Sequence, residues 1–458
     1  MSIFKACDIR GHYGTQLLDE HARQLGSALA TYCGQVDVLV GGDGRISTPA
    51  LKQHLIEALV QGGCHVIDIG IVPTPVLYFA RRHLGVQAGV IVTASHNPPA
   101  DNGFKLALGE LPITPDQIET IAELMSANTL ASNAKTPGSV TQSVILPTYT
   151  EFARQQVGRL DGMRIVADCA NGMAALTAEQ VWQTTGANLS YLFDAVDGSF
   201  PNHAPDPSNM RNLKSLCAAV IEQHADLGVA YDGDADRVVF VDSLGRPLSG
   251  DRAIVLFVRQ ALAHGAAPIV YDQKCSLIVA DAIRELGGMP VIERSGHTFI
   301  KTAFQNYDAP YAGEISGHHF FRQIGGDDGL IASLYMADLI HKSGQSLAKL
   351  ADSIHSYPIT PDIRLMMDSE TAHRVLRDLT TALSGEAHLV TLDGIRAEYA
   401  DGWGMARLSV TEPAMTLRFE GKTLQSLRRI MHRFEEDSPD LRGRLPYDFV
   451  QSSDTSAT

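Results

Sequence analysis

One pattern recurs three times along this chain and limits its possible folds more than any other feature of the sequence. At 36–69, 163–193 and 268–293, a short β-branched run leads into a polar loop, an amphipathic stretch and a second apolar run. Each repeat has about the length of a βαβ unit, roughly 30 residues. Glycines such as Gly62 and Gly186 follow the amphipathic stretches, as is typical of helix C-termini. Because the three sequences are dissimilar, the repetition is one of architecture.

The repeats predict an α/β chain with three similar domains, each built on a mixed, largely parallel sheet. From about residue 358 the pattern changes to short alternating segments and then the amphipathic stretch TLQSLRRIMHRFEED, which predicts a C-terminal α+β domain. The polar C-terminal stretch QSSDTSAT predicts disorder. The expected bounds are 1–145 for domain I, 146–246 for domain II, 247–357 for domain III, 358–450 for domain IV and 451–458 for the tail.

Composition and charge argue against several classes of protein. The chain carries 37 basic and 52 acidic residues, a net charge of −15, which disfavours a general binder of nucleic acid or of an anionic membrane. No apolar stretch approaches the ~18 residues of a membrane span. The N-terminal MSIFKACDIRG lacks the apolar run of a signal peptide. The six cysteines are scattered without a CxxC pair, so we expect reduced thiols in a soluble, cytoplasmic protein.

The segment VIVTASHNP at 90–98 has the pattern of a buried strand that runs into a polar loop. Ligands bind at the carboxyl ends of strands in open α/β sheets. Ser95 is therefore a candidate nucleophile or phosphate carrier, with His96 beside it and Lys105 in the same loop region. No G-x-S-x-G elbow is present, so a hydrolase triad is not the natural interpretation. The alternative is that Ser95 caps a turn and the following Asn-Pro ends the strand.

Three carboxylates alternate in DGDADR at 232–237, and a strand follows them. Asp232, Asp234 and Asp236 repel one another unless a cation joins them. Oxygen ligands favour a hard cation, Mg²⁺ or Ca²⁺, but the loop lacks the Gly and Glu positions of an EF-hand. Arg237 can pair with a phosphate that shares the cation. A solvated acidic turn is the alternative.

Two further loops carry hydrogen-bonding side chains. In GEISGHH, Glu314, Ser316 and His318 alternate and are expected to point the same way from an extended loop, which suits sugar hydroxyls. Zinc bound by the adjacent histidines is the alternative there. The segment RLSVTEP and the later Arg418 offer hydroxyls and guanidiniums for a phosphate cradle, unless this segment is an ordinary exposed hairpin.

Four basic residues stand apart from these loops: Arg10 in DIRG, Lys274 after a strand, and His297 and Lys301 in SGHTFIK. Each of them, taken alone, is expected to be a surface charge.

Taken together and in this order, the loops resemble the α-D-phosphohexomutase superfamily, and most closely its bacterial phosphomannomutase/phosphoglucomutase branch. The matching segments are DIRG at 8–11, TASHNP at 93–98, NGFK at 102–105, DGDADR at 232–237, GHTFIK at 296–301, GEISGH at 313–318 and RLSVTEP at 407–413. They span nearly the whole chain, and the ordered set is highly specific. The resemblance implies four domains around a central cleft.

The resemblance also implies a role for each residue. The reacting centre would be formed by Ser95 as a phosphoserine, with Arg10, His96, Lys105 and Arg237. Mg²⁺ would be held by Asp232, Asp234, Asp236 and an oxygen of phosphorylated Ser95. The sugar and its second phosphate would be bound by Lys274, His297, Lys301, Glu314, Ser316, His318, Arg407, Ser409, Thr411 and Arg418. Either Lys105 or His96 would serve as general acid or base.

The implied activity is reversible phosphoryl transfer between the 1-phosphate and the 6-phosphate of mannose, glucose or both. Phosphorylated Ser95 would donate its group to the free end of the substrate. The resulting hexose 1,6-bisphosphate, which also acts as activator, would turn end for end and return its other phosphate. The implied partner is a small phosphosugar, with no nucleic acid or membrane, and the implied assembly is a monomer or weak dimer.

Three rivals stay open on sequence alone: a phosphoglucosamine mutase, a sugar-phosphate-binding regulator without turnover, and a phosphatase that passes through a phosphoserine. Ile315 matches the phosphomannomutase/phosphoglucomutase branch, whereas phosphoglucosamine mutases more often have Gln there. Cys7, Ala235 and Val410 depart from the branch, which more often has an aromatic residue, a glycine, and a polar residue or glycine at these positions. Closure of domain IV at a hinge near 357–362 would exclude water and suppress hydrolysis.

Overall fold

The computed structural model of the chain describes residues 3–127, 136–408 and 413–447. Within them, four β-sheets follow one another along the sequence, each with its own helices. Two predicted phosphate ligands, Ser409 and Thr411, and the predicted tail at 451–458 lie outside the described residues.

The first sheet holds the first βαβ repeat. Its strands are β1 (Ile9–His12), β2 (Asp37–Gly42), β3 (His65–Ile71), β4 (Ala88–Val92), β5 (Asp101–Leu108) and β6 (Ser139–Gln142), and its helices are α1 (Asp19–Cys33), α2 (Thr48–Gln61), α3 (Thr74–Leu84) and α4 (Pro115–Ser126). The strand order is β1-β5-β4-β2-β3-β6, with β5 antiparallel to both neighbours and the other pairs parallel. Pro49 lies in the first turn of α2, where its missing N–H costs nothing.

The second sheet holds the second repeat. Its strands are β7 (Arg164–Asp168), β8 (Asn188–Leu192), β9 (Leu227–Tyr231) and β10 (Val238–Asp242), and its helices are α5 (Leu146–Arg154), a 3₁₀ helix (Met173–Leu176), α6 (Ala178–Gln183) and α7 (Lys214–Glu222). The order is β10-β9-β7-β8, with only β10 antiparallel to its neighbour. Every residue of β9 is buried. The acidic loop, which connects β9 to β10, therefore begins at the end of a fully buried strand.

The third sheet holds the third repeat. Its strands are β11 (Pro268–Asp272), β12 (Met289–Glu293), β13 (Tyr311–Gly313), β14 (His319–Phe321) and β15 (Gly326–Asp327). Its helices are α8 (Gly250–Ala261), α9 (Leu277–Glu285), α10 (His297–Asn306), a 3₁₀ helix (Arg322–Ile324), α11 (Gly329–Ser343) and α12 (Leu347–Asp352). The order is β12-β11-β13-β14-β15, parallel across the first three strands and antiparallel across the rest.

The fourth sheet is antiparallel throughout. Its strands are β16 (Ile363–Met366), β17 (His388–Val390), β18 (Ile395–Tyr399), β19 (Gly402–Leu408) and β20 (Ala414–Gly421), in the order β16-β20-β19-β18-β17. Its helices are α13 (Ser369–Leu383), α14 (Leu424–Asp437) and a 3₁₀ helix (Pro439–Leu441). Leu427, Ile430 and Phe434 bury the apolar face of α14. This is the amphipathic helix predicted at 423–437, whereas α13 was not predicted.

The predicted fold class is confirmed: three α/β domains with mixed sheets precede a C-terminal α+β domain. One apolar core is continuous from α3 through the second domain into the third, while the fourth domain has a core of its own. The first three domains therefore share an apolar core in which the described residues of the fourth domain take no part. The exact domain bounds given above stay predictions.

All six cysteines are free thiols, as the absence of a CxxC pair predicts. Among the described residues, no helix combines the length and the apolar character needed to cross a membrane.

Candidate active site

Loops from all four domains meet around one cleft, which encloses a cavity of about 730 Å³. The predicted residues that line it are Arg10, His96, Lys105, Asp236, Arg237, Lys274, His297, Lys301, Glu314, Ser316, His318 and Arg407. Ser95, Asp232 and Asp234 are buried and contact this lining from behind. The predicted reacting centre is thus one place in the fold, although its members come from distant parts of the sequence.

Ser95 lies just beyond the carboxyl end of β4, in a backbone conformation that L-residues seldom adopt. Its φ is +50°, in the left-handed region, and its amide N–H donates to Thr93 Oγ1 at 2.9 Å. The hydroxyl donates to Asp232 Oδ2 at 2.6 Å, and His96 Nδ1 lies 3.3 Å from the same Oγ. Strain of this kind persists where the surroundings fix the backbone, and such positions cluster at functional sites. The strained backbone of Ser95 is consistent with the predicted functional position.

The three alternating carboxylates converge. Asp232, Asp234 and Asp236 are all 0% exposed, and one oxygen from each lies within 4.8 Å of the others. The alternative of a solvated acidic turn is wrong, because the flanking strands β9 and β10 pair along their full length and hold the loop inside the protein. Buried like charges at this separation are stable only with a nearby cation or with a proton on one of them.

Lys105 supplies part of that positive charge. Its Nζ lies 2.6 Å from Asp234 Oδ2 and 2.5 Å from Asp236 Oδ2, bridging domain I to the acidic loop of domain II. Asp234 Oδ2 also accepts from Thr74 Oγ1 at 2.5 Å. Burial alone would lower the pKa of Lys105, but the two carboxylates outweigh it and raise that pKa above its ordinary value. The ammonium group therefore stays charged, which suits a phosphate ligand better than a general base.

The remaining titratable groups beside Ser95 are shifted in opposite directions. Burial, with the charges of Asp236 and Asp234, raises the pKa of Asp232 well above its usual range. The charge of Arg237, followed by burial, lowers the pKa of His96 well below its usual value. The lowered pKa favours an uncharged His96 ring, which lies beside the Ser95 hydroxyl.

The acidic loop fits a hard divalent cation. Its donors are all oxygens, and two of them, Asp234 Oδ1 and Asp236 Oδ1, are buried without a hydrogen-bond partner among the described residues. An unpaired carboxylate oxygen in the protein interior is costly, so these two atoms mark a place for a ligand. Mg²⁺ prefers such oxygens and keeps positions for phosphate oxygens, which the neighbouring Ser95 would supply when phosphorylated. The residues present thus suit the predicted ion.

The predicted sugar loop differs in shape from the expectation. Residues 314–317 form a tight turn rather than an extended loop: Gly317, with φ +100°, donates its N–H to Glu314 O at 3.0 Å. Glycine permits this left-handed conformation, which the alternation of polar side chains did not reveal. Ser316 Oγ donates to Glu314 Oε1 at 2.8 Å, and the buried Glu314 Oε2 has no hydrogen-bond partner in residues 3–127, 136–408 and 413–447. The three predicted side chains still reach the cavity.

His318 and His319 point apart. His319 is buried against Tyr311, and burial lowers its pKa to about 3. Arg237 Nε donates to His318 Nε2 at 3.0 Å, so the ring proton of His318 resides on Nδ1 and donates to Asp327 Oδ2 at 3.0 Å. Asp236, His318 and Asp327 are close enough for a shared metal, but both ring nitrogens already have partners.

Asp327 is a site residue that the sequence reasoning missed. It also lies 3.0 Å from His297 Nε2 and 3.5 Å from Lys301 Nζ, so one buried carboxylate joins three predicted cleft residues. The charges of His297 and Lys301 outweigh burial and lower the pKa of Asp327 well below its usual range. The acidic pair at 327–328, which follows the segment HHFFRQIGG, is the sequence signal that would have drawn attention to Asp327. Tyr78, whose ring lies 3.6 Å from Lys301 Nζ, was missed as well.

The other predicted basic residues divide into two groups. Arg10, Lys274 and Arg407 line the cavity and are not isolated surface charges; Arg10 pairs with Asp8 at 2.8 Å, and Arg407 pairs with Asp393 at 2.6 Å.

Arg418 instead lies 3.7 Å from Asp362 and 4.0 Å from Asp251, behind the cavity wall. Of the two guanidiniums predicted for the phosphate cradle, Arg407 therefore lies at the cleft and Arg418 does not.

Comparison of this chain with known proteins matches the first three domains to one protein family. Residues 1–132, 147–245 and 249–357 match alpha/beta/alpha domains I, II and III, respectively, of the phosphoglucomutase/phosphomannomutase family. The chain is 38% identical over 455 residues to a phosphomannomutase/phosphoglucomutase of Pseudomonas aeruginosa, covering 98% of each chain. It is 36% identical over 451 residues to a phosphoglucomutase of Neisseria gonorrhoeae, covering 96% of this chain and 98% of the relative.

A crystal structure of a phosphoglucomutase/phosphomannomutase family protein from Burkholderia thailandensis superimposes with a TM-score of 0.88 at 35% identity. The match covers 96% of this chain and 98% of that one. Sequence, domain order and fold agree, and the chain belongs to the phosphoglucomutase/phosphomannomutase family.

Proposed function

We propose that this chain catalyses reversible transfer of a phosphoryl group between hexose 1-phosphate and hexose 6-phosphate, acting on mannose, glucose or both through phosphorylated Ser95. Interconversion of hexose phosphates, an isomerase activity, is the function of its family. The observation that carries the Ser95 role is its hydroxyl, 2.6 Å from Asp232 Oδ2 and 3.3 Å from His96 Nδ1 at the base of a cationic cleft. Such a site holds a nucleophile, acceptors for its proton and charge to receive a phosphate.

In the first step, the phosphoryl group passes from Ser95 Oγ to the free hydroxyl of the bound sugar phosphate. The bond from phosphorus to Oγ breaks, a bond to the sugar oxygen forms, and the proton of the sugar hydroxyl passes through a base to Oγ. In the second step, the other phosphoryl group passes from its sugar oxygen to Ser95 Oγ, and the serine proton passes back to the sugar oxygen that has lost its phosphate. His96, whose Nδ1 lies 3.3 Å from Oγ, is placed to relay this proton, and its lowered pKa means that it releases the proton readily.

Three cations of the chain neutralise the transferring group. Arg10, Lys105 and Arg237 line the cavity around Ser95, and phosphoryl transfer depends mainly on positioning and charge of this kind. Lys105 remains charged because of its two carboxylate partners. In our proposal Asp232, Asp234 and Asp236 hold Mg²⁺ with an oxygen of phosphorylated Ser95; when bound, this ion supplies further charge neutralisation.

The opposite side of the cleft binds the sugar and its non-reacting phosphate. Glu314 Oε2, which is buried and lacks a partner in the described chain, is suited to accept a hydrogen bond from a sugar hydroxyl. In our proposal the remaining binding groups are Lys274, His297, Lys301, Ser316, His318, Arg407, Ser409 and Thr411, while Arg418, which lies behind the cavity wall, stays a prediction. Because the hexose 1,6-bisphosphate must turn end for end, this side has to accept either phosphate, which favours mobile cations over a rigid pocket.

The experiment that tests this function is ³¹P NMR of the purified protein with Mg²⁺ and a catalytic amount of hexose 1,6-bisphosphate. Mannose 1-phosphate, glucose 1-phosphate and glucosamine 6-phosphate are supplied in parallel, with Ser95→Ala as the control. We expect conversion of the first two to their 6-phosphates, and no conversion by the variant, which should still bind them.

The other outcomes distinguish the rivals. Conversion of glucosamine 6-phosphate alone would identify an amino-sugar mutase, and inorganic phosphate without isomerisation would identify a phosphatase. Binding with no turnover of any substrate would identify a regulator. Full turnover by Ser95→Ala would remove the serine from the reaction. The cytoplasmic location and the monomer or weak dimer stay predictions.

A further inference from the structure

Arg45, which no motif singled out, holds the loop that carries Ser95. It lies between β2 and α2 and is 2% exposed. Its Nη1 donates to Pro98 O at 2.6 Å and to Asp101 O at 2.9 Å. Its Nη2 donates to Ser95 O and to Asn97 O, both at 2.7 Å. One guanidinium thus binds four carbonyls of the same loop.

The guanidinium is itself held from two sides. Its Nε lies 3.2 Å from Asp43 Oδ2, and Asp43 Oδ1 accepts from Thr48 Oγ1 at 2.6 Å and from the Arg45 amide at 3.0 Å. From domain II, the Phe200 ring lies 5.1 Å from the Arg45 Cζ atom. A planar cation fixed by an ion pair and an aromatic ring presents its donors in one orientation.

The Ser95 loop needs such support. Ser95 has a left-handed backbone, which its Cβ disfavours, and its carbonyl points toward the acidic loop so closely that a Cβ added to Gly233 would lie 2.4 Å from Ser95 O. Without the guanidinium, the four carbonyls would lose the hydrogen bonds that it donates, and the loop would relax toward other conformations. The distance from Ser95 Oγ to Asp232 would then change.

We infer that Arg45 is a positioning residue for the nucleophile: by binding the carbonyl of Ser95 and three carbonyls of the residues that follow it, it fixes the hydroxyl against the acidic loop. This inference rests on the proposed phosphoserine chemistry. Arg45 does not line the cavity, in contrast to Arg10, Lys105 and Arg237. Its loss should therefore slow phosphoryl transfer to and from Ser95 while leaving sugar-phosphate binding nearly unchanged.

The test measures phosphorylation of dephosphorylated enzyme by glucose 1,6-bisphosphate with Mg²⁺ in single-turnover quench experiments, read by intact mass. The variants are Arg45→Met, Arg45→Lys and, as a control, Arg444→Met, whose guanidinium also donates to backbone carbonyls but far from the cleft. At saturating donor we expect Arg45→Met to be about 100-fold slower, since misplacement of a reacting group by ~1 Å costs that much. Arg45→Lys should be intermediate, because its ammonium keeps the charge and reaches fewer carbonyls.

The steady-state constants separate positioning from general damage. In Arg45→Met, kcat should fall with the phosphorylation rate while KM for glucose 1-phosphate stays within about threefold of wild type. Arg444→Met should match wild type in both. If Arg45→Met does not fold, Arg45→Lys decides.

Phosphorylation of the folded Arg45 variant at the wild-type rate, or a rise in KM without a fall in kcat, would overturn the inference. Failure of the wild-type enzyme to become phosphorylated on Ser95 would instead overturn the proposed function itself.

Discussion

At the scale of single residues, one lysine serves two carboxylates of the acidic loop. Lys105 is shared by Asp234 and Asp236, so Lys105→Met removes the ammonium group that both buried carboxylates contact. Removing one partner of a buried ion pair costs about 3–5 kcal/mol. We expect Lys105→Met to unfold at a lower temperature in EDTA, and Mg²⁺ to raise its melting temperature by more than it raises that of wild type, because the competing cation is gone.

Lys52→Met is the matched control for this comparison. Lys52 is buried in the same domain and pairs with Asp68, away from the acidic loop. Its variant should also melt at a lower temperature, but Mg²⁺ should shift it no more than wild type. Equal Mg²⁺ shifts in all three proteins, measured by differential scanning fluorimetry, would contradict a metal site at the acidic loop.

Glu314 leads to a prediction about binding. Because its Oε2 has no partner within the part of the chain that the structure describes, we expect it to accept a hydrogen bond from the substrate. Glu314→Gln should raise KM for both hexose 1-phosphates about tenfold, as expected for the loss of a charged hydrogen bond, with a smaller effect on kcat. Glu435→Gln is the control, since both oxygens of this buried glutamate are bound within domain IV. An unchanged KM in Glu314→Gln would place the sugar elsewhere.

Residues close together in sequence were predictable at this scale, whereas those joined only by the fold were not. Ser95, His96 and the three aspartates stand in short segments whose spacing already indicates chemistry. Arg45 and the Ser95 carbonyl are 50 residues apart, and Asp327 and His297 are 30 apart, so no spacing links them. The segment GGDGR at 41–45, which contains Arg45, also follows a predicted strand. The rule that ligands bind at the carboxyl ends of strands, which drew attention to Ser95, therefore applied to Arg45 as well.

At the scale of secondary structure elements, α11 is capped by a carboxylate that burial keeps partly protonated. Asp328 accepts from the Ile331 amide at 2.9 Å and from Tyr149 Oη at 2.7 Å, yet burial raises its pKa to about 7. Above about pH 4 the unfolded chain loses this proton, while the native chain keeps it until about pH 7. The unfolded state therefore binds fewer protons in this window, and stability falls as pH rises.

Asp328→Asn should remove this dependence while keeping an acceptor for the helix N-terminus. Between pH 4 and 7 we expect its stability relative to wild type to increase by about 1.4 kcal/mol per pH unit, with no further change above pH 7. Asp368→Asn is the control: Asp368 caps α13 in the same way but is exposed, and its hydrogen bonds to Thr371 lower its pKa. Parallel pH profiles of melting temperature for Asp328→Asn and wild type would refute the assignment.

Elements with a strong period were predicted, and elements shaped by single backbone positions were not. The three βαβ repeats and α14 follow from hydrophobic spacing alone. The turn at 314–317 depends on the left-handed conformation of Gly317, which alternation of side chains cannot reveal.

At the scale of the whole molecule, hydrogen bonds from domain IV bind the loop of domain III that carries Lys274. Arg396, on β18, is 1% exposed and donates to Gln273 O and to Cys275 O, on either side of that lysine. Its Cζ lies 3.9 Å from the Trp403 ring, and Trp403 Nε1 donates to Glu420, which in turn accepts from the Leu277 amide. The domain with its own core is thus attached through a few polar contacts next to the cleft.

Backbone hydrogen bonds attach the predicted hinge, residues 357–362, to domain IV. Within 357–362, Thr360 donates its amide to Phe419 O at 2.8 Å, and Pro358 O accepts from Gly421 at 3.0 Å. These residues are tied to β20, so they belong mechanically to domain IV. A pivot at the domain boundary has to lie at or before the first of these bonds, and the hinge itself stays a prediction.

Arg396→Met tests whether this attachment controls the cleft. The variant loses both hydrogen bonds to the Lys274 loop, so we expect KM for the hexose 1-phosphates to rise about tenfold. A domain that closes less completely admits water, and inorganic phosphate released per isomerisation should rise several-fold. Arg429→Met is the control, because Arg429 pairs with Asp401 and lies 5.9 Å from the Tyr399 ring, all within domain IV. If both variants isomerise and release phosphate as wild type does, the contacts of Arg396 hold the domains together without shaping the cleft, and water exclusion must come from elsewhere in the molecule.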